Sequence, residues 1–162
     1  MAGSRPGGML AAAWTAMVAM GQSGYMEIAK KVLKAHNDII AGIDKIDGIK
    51  LITKPDMTCI AIVSDSKDVS ILAVADAMER RSGWKMERQQ LPNSLHFSIL
   101  PQHEGVVPTL IKDLSDSVKE VKADPTLSSK GSTGMYGMVA KIPDKTIVDD
   151  FLVKFISTLY ST

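Results

Sequence analysis

Cysteine is nearly absent from this sequence: Cys59 is the only one in 162 residues. No disulfide can form within the chain and a cysteine-based zinc site is excluded in practice, a usage that fits a reducing compartment. An excess of either charge is missing too, with 19 Lys and Arg against 18 Asp and Glu and a net charge of +1. That balance sets up no field to draw nucleic acid or an anionic membrane surface. There is no low-complexity tract and no internal repeat. Long apolar runs are lacking as well. The longest, Met9 to Met20, has 12 residues and is broken only by Thr15, whereas a spanning helix needs about 20.

What remains is 45% hydrophobic and 23% charged, enough apolar material to offset the entropy of ordering one domain with an appended helical segment. The apolar run near the amino end resembles a secretory signal in part, since Arg5 precedes it and Ala19-Met20-Gly21 offers small residues. Pro6, Gly7 and Gly8 stand where a signal's charged region belongs, so the run is read as a buried helix that something must cover.

Helical spacing begins just after Ser4, pauses at Gly21-Gln22-Ser23-Gly24 and resumes through Tyr25, Ile28, Val32, Ala35, Ile39 and Ile43 to a stop at Asp47-Gly48. Short strands are expected over 49–53 and 57–64, the second β-branched and central. Ser66 or Asp68 should cap the next helix, closed by Ser82-Gly83. A polar edge strand follows over 84–90, then a turn at Leu91-Pro92-Asn93 and an alternating strand over 94–100. Amphipathic helices are expected over 104–121 and 144–160, the latter burying Ile147, Val148, Phe151, Leu152, Phe155, Ile156 and Leu159, with a loop over 124–134. The order strand, strand, helix, strand, strand, helix gives the fold class: α+β, a small antiparallel sheet with helices on one face, entered by a long amino-terminal connecting helix.

The densest chemical signal is Gly3-Ser4-Arg5-Pro6-Gly7-Gly8 opening into a helix. Ser4 is expected to cap it and Pro6 to lie in its first turn. Unpaired N–H groups, the positive helix end, a hydroxyl and a guanidinium then converge where an anion such as phosphate would fit. An ordinary capped helix start explains the same residues. The Gly-Lys-Ser/Thr ending of a phosphate loop is absent. His36, His96 and His103 show no metal spacing and are read as surface or supporting residues; no metal site is expected. Ser64-Asp65-Ser66 is explained by a turn and cap, the ten methionines by core filling, and Lys119, Lys122 and Lys130 by a solvated rim. Tyr136, flanked by Gly134 and Gly137, could present its hydroxyl to a ligand or act as a packing plug.

Taken together, several stretches resemble the sphingosine-1-phosphate lyase family in order and spacing. They are the Gly3–Gly8 segment with Trp14 and Gly21-x-x-Gly24-Tyr25 behind it, Lys54-Pro55-Asp56-Met57-Thr58, Gly83-Trp84, Gln90 through Phe97, and Tyr136-Gly137-Met138. The resemblance runs over essentially the whole chain. It implies the small carboxy-terminal domain of a pyridoxal-phosphate enzyme of the aspartate aminotransferase-like fold type I. Residues 1–47 would be the end of the large cofactor domain and the connecting helix, and residues 48–162 the small domain. The family cleaves sphingoid-base 1-phosphates to a fatty aldehyde and phosphoethanolamine with pyridoxal 5'-phosphate as cofactor. It also implies a homodimer in which Gly3 and Ser4 reach the phosphate of the neighbouring subunit's cofactor, while Arg5 and Tyr136 meet substrate. Members from eukaryotes sit on the cytosolic face of the endoplasmic reticulum membrane through an amino-terminal helix, which is not in this sequence; the chain itself reads as soluble.

One departure is large. The family's cofactor lysine lies in a His-Lys-Tyr context, yet here His36 precedes Asn37, His96 precedes Phe97 and His103 precedes Glu104. No catalytic residue is assigned, and the chain is read as the carboxy-terminal third of a longer enzyme, inactive alone. The rival readings are a fragment of a group II amino-acid decarboxylase, with the same fold and cofactor, and a stand-alone α+β binding module.

Overall fold

A computed structural model describes residues 3–131, 133–134 and 145–160, apart from the side chains of Lys145 and Val148. The elements run α1 (Gly7–Ile43), β1 (Ile49–Leu51), β2 (Cys59–Ser64), α2 (Ile71–Ser82), β3 (Glu87–Gln89), β4 (Ser94–Ser98), α3 (Val107–Ala123) and α4 (Lys145–Tyr160). Short 3-10 turns occupy Pro101–His103 and Pro125–Ser129.

The four strands form one antiparallel sheet in the order β1-β2-β4-β3. β2 is central, as its β-branched run leads one to expect. Register puts Ile60 opposite Phe97, and Ile62 opposite both Leu95 and Leu51. Because side chains alternate across a strand, these residues share one face. Ile60, Ile62 and Leu95 are fully buried there, in one core with α2, α3 and the second half of α1. Lys50, Cys59, Ala61, His96 and Ser98 take the other face, which stays exposed or half-buried. This is the expected α+β arrangement.

Helix boundaries follow local chemistry. The Ser70 hydroxyl accepts from Ala73 N at 3.4 Å and caps α2, so the cap falls later than Ser66 or Asp68. Those two residues close their own turn instead, Asp68 N donating to Ser66 Oγ at 3.2 Å. Gly83 ends α2 with φ 74°. α1 stops at Ile43 on an ordinary helical Asp44, ahead of the expected stop; Gly48 (φ 105°) shapes the next turn.

α1 is broken at Gly21, whose φ of 58° and ψ of 179° lie outside any helix. Past the break, Ala35, Ile39 and Ile43, spaced by four, enter the core. Before it, the expectation of a buried helix is overturned: Met9, Leu10, Trp14, Met17 and Val18 are all exposed, Trp14 to 63%. The same correction holds for α4. Its helix is present, but Ile147, Phe151, Leu152, Phe155, Ile156 and Leu159 lie exposed, with Phe151 and Phe155 stacked at 6.2 Å between ring centres. Periodicity reports that a face is apolar, not what covers it, and among the described residues nothing covers these two. The methionines need a similar correction. Met78 and Met86 are core, whereas Met9, Met17, Met20, Met26 and Met57 are exposed.

Candidate functional site

Residues 3–6 approach α1 in non-helical, exposed backbone. Pro6 is itself the N-cap residue (φ −60°, ψ 131°), no side chain caps the helix, and Met9 N donates to Pro6 O at 3.1 Å. Two expectations are thereby corrected: Ser4 does not cap α1, and Pro6 stands before the first turn rather than in it. With Pro6 at the cap, Ser4 lies two residues ahead of it and its hydroxyl makes no capping bond, while proline offers no side-chain acceptor of its own to the first N–H groups. A Cβ placed on Gly3, Gly7 or Gly8 would meet nothing within 4 Å. The corner therefore offers open backbone, the first unpaired N–H groups of a helix, its positive dipole end, and the Ser4 and Arg5 side chains. Those groups are of the kind that hold an anion such as phosphate. Tyr136 lies outside the described residues, so no geometry joins it to this corner.

His36 is buried rather than at the surface, 6% exposed, with Nδ1 3.3 Å from Asn37 Oδ1. His103 Nδ1 accepts from Leu100 N at 2.9 Å and closes the 3-10 turn. No group of three or more His, Cys, Asp or Glu among the described residues is placed to hold a metal. Ser64 donates to Ser66 O at 2.7 Å and to Val69 O, which is the turn expected of it and not a nucleophile. The lysine rim is partly tied down: Lys122 pairs with Asp47, and Lys119 lies 3.8 Å from Asp116.

Two polar centres went unread in the sequence. Asp76 on α2 accepts from Arg88 Nη2 at 2.6 Å, from Thr133 N at 3.0 Å and from Thr133 Oγ1 at 2.7 Å. It ties the chain just before Tyr136 to the small sheet. Trp84 Nε1 donates to Asp113 Oδ2 at 2.9 Å. That bond, together with one from Ser82, holds the Asp113 carboxyl below its ordinary pKa against the opposing effect of burial. Neither centre has a local motif; a half-buried carboxylate near an arginine or indole is the only signal, and its partners are set by the fold.

No protein-family profile matches the chain. Sphingosine-1-phosphate lyase of Oryza sativa is 44% identical over 155 residues, 96% of this chain and 28% of the relative. The chain matches one segment of the sphingosine-1-phosphate lyases. Sphingosine-1-phosphate lyase of Arabidopsis thaliana is 38% identical over 99% of this chain and 29% of its own length. In structure, the sphingosine-1-phosphate lyase of Burkholderia pseudomallei superposes with a TM-score of 0.69 at 28% identity, over 88% of this chain and 32% of that one. Mouse CSAD, at 14% identity and a TM-score of 0.52 over 65% of this chain and 26% of its own, shares the fold alone. The chain thus spans less than a third of the lyases it matches. No helix among the described residues is long and apolar enough to cross a membrane.

Proposed function

We propose that this chain is the carboxy-terminal portion of a pyridoxal-phosphate-dependent lyase that cleaves sphingoid-base 1-phosphates to a fatty aldehyde and phosphoethanolamine. The observation that carries this is the match to the Oryza sativa lyase across 96% of the chain at 44% identity. On this reading residues 1–47 are the end of the large domain and the connecting helix, and residues 48–162 the small domain. The parent is a homodimer on the cytosolic face of the endoplasmic reticulum membrane, held there by an amino-terminal helix.

The chain's own part is to bind and orient. Gly3 and Ser4 hold the phosphate of the neighbouring subunit's cofactor, using backbone N–H groups and the hydroxyl that Pro6 leaves free of capping. Arg5 and Tyr136 contact substrate, the guanidinium matching a phosphate by geometry and charge. When bound, pyridoxal phosphate supplies an electron sink for the pair released as the carbon–carbon bond breaks. The exposed apolar faces of α1 and α4 are the surfaces that meet the large domain and the second subunit.

A chimera tests the reading. This chain replaces the matching 155 residues of the Oryza sativa lyase, and aldehyde release from sphingosine 1-phosphate is measured. Activity supports the proposal, and Ser4→Ala in the chimera should then raise the pyridoxal phosphate needed for half-activity. A folded, cofactor-loaded chimera without lyase activity would overturn it. The decarboxylase reading has less behind it, since mouse CSAD offers likeness of fold only.

A further inference from the structure

Asp76 stands on α2 among neighbours that enter the core: Val74, Ala75, Ala77 and Met78 are all buried. Its own side chain is half-buried and gathers three donors. Oδ1 accepts from Arg88 Nη2 at 2.6 Å, while Oδ2 accepts from Thr133 N at 3.0 Å and from Thr133 Oγ1 at 2.7 Å. Arg88 reaches this point from β3, where it pairs opposite the buried Leu95, and it also lies 3.7 Å from Glu79 on the next turn of α2. Thr133 is 3% exposed. The turn that delivers it is closed tightly. Gly131 takes φ 60°, and a Cβ there would lie 3.0 Å from Asp76 Oδ2. Gly134 N donates to Lys130 O at 3.2 Å, and a Cβ on Gly134 would meet Ser129 O at 2.7 Å. One carboxylate therefore straps this turn onto α2 and β3, and a side chain at either glycine would force the strap to give.

A partly buried ion pair adds little net stability over well-packed apolar residues. What a carboxylate with three donors does supply is a fixed place for the backbone it holds. The backbone held here runs directly on to Tyr136, two residues beyond Gly134. Two residues of chain span at most about 7 Å, so a constraint on Gly134 is passed on to the tyrosine. We propose that Asp76 and Thr133 are positioning residues for Tyr136: the Thr133 hydroxyl and N–H, seated on the Asp76 carboxylate, fix the point from which the tyrosine reaches substrate. Both act through Tyr136 and not on substrate themselves. The proposal rests on the reading of Tyr136 as a substrate contact and adds the device that places it.

Two substitutions separate the hydroxyl from the shape: Thr133→Val removes the donor, and Thr133→Ser keeps it. In the full chain, trypsin cleavage between Lys130 and Gly131 reads the strap directly, since Lys130 is exposed and the cut tracks local opening. Thr133→Val should speed that cut about tenfold, the loss of one charge-assisted bond, and Thr133→Ser should leave it nearly unchanged. In the chimera with the Oryza sativa lyase, kcat/KM for aldehyde release should fall about tenfold with Thr133→Val and return with Thr133→Ser. Circular dichroism confirms that each variant is folded. A double-mutant cycle then tests the route: with Tyr136→Phe already in place, Thr133→Val should cost little more. The proposal is overturned by unchanged cleavage at Lys130, by full activity of the Thr133→Val chimera, or by losses that simply add in the double variant. An inactive chimera, or one that Tyr136→Phe leaves fully active, removes the substrate-contact reading itself and this proposal with it.

Discussion

Gly42 packs where α1 crosses α3, and replacing it with alanine sets two effects of similar size against each other. A Cβ at this position would come within 2.6 Å of both Cδ1 and Cγ1 of Ile111, and within 2.9 Å of its Cγ2. Because those atoms span the whole isoleucine side chain, swinging its tip aside clears nothing. Either Ile111 leaves its rotamer or the helices part. Overpacking of this kind costs about 1–3 kcal/mol. Alanine returns at most about 1 kcal/mol of helix propensity, and less in the last turn of α1. Gly42→Ala should therefore destabilise the chain by about 1 kcal/mol, a fall in Tm of about 3 °C for this size. The double variant decides whether the overlap is the cause. Ile111→Ala alone should cost about 1–2 kcal/mol, less than for a fully buried isoleucine. With Ile111 truncated, the methyl introduced by Gly42→Ala has room, so the pair should be more stable than the sum of the singles by about 1–2 kcal/mol. Urea unfolding followed by circular dichroism measures all four chains. A stabilising Gly42→Ala, or strictly additive effects, would refute the packing account.

Three further outcomes are expected. Asp113 is held below its ordinary pKa chiefly by the Trp84 indole and then by Ser82, so its contribution is complete above the normal carboxylate range and lost as pH falls through the lowered value; Trp84→Phe should let that pKa rise and move the onset of acid unfolding to higher pH, and an unchanged acid limb would count against the bond. The uncovered arm of α1 should make the isolated chain self-associate and bind a hydrophobic dye, and Trp14→Lys with Met17→Lys should reduce both on sedimentation and fluorescence, whereas a monomeric, dye-silent parent chain would contradict the exposure described. Purified alone, the chain should release no aldehyde from sphingosine 1-phosphate with added pyridoxal phosphate, since it has no His-Lys pair; stoichiometric turnover would overturn the portion reading.

Much of the sheet was legible. The β-branched run that became β2 could only be central, and the alternation that became β4 fixed which of its residues face the core, Leu95 being fully buried. The start of α2 was less so, because Ser66, Asp68 and Ser70 are all good capping residues and the choice among them falls to the turn that Ser64 and Ser66 close. The Asp76 junction was invisible. Its partners Arg88 and Thr133 lie 12 and 57 residues away, and no local pattern anticipates such a meeting. Coverage of α1 and α4 was misread for another reason: an apolar stripe states a need for a partner without locating it. At the start of α1, the capping role expected of Ser4 overlooked that proline already occupies the cap.

The break in α1 separates two problems that a straight rod would have coupled. In an unbroken helix each residue advances the phase by about 100°, so where residue 39 points would dictate where residue 14 points. Gly21 sits in a backbone region essentially closed to every other amino acid (φ 58°, ψ 179°). It resets the azimuth between the stretch that docks on the sheet and the stretch that projects away from it. Either surface can then drift in sequence without rotating the other out of alignment, and the whole correspondence between them is vested in a single side-chain-free position.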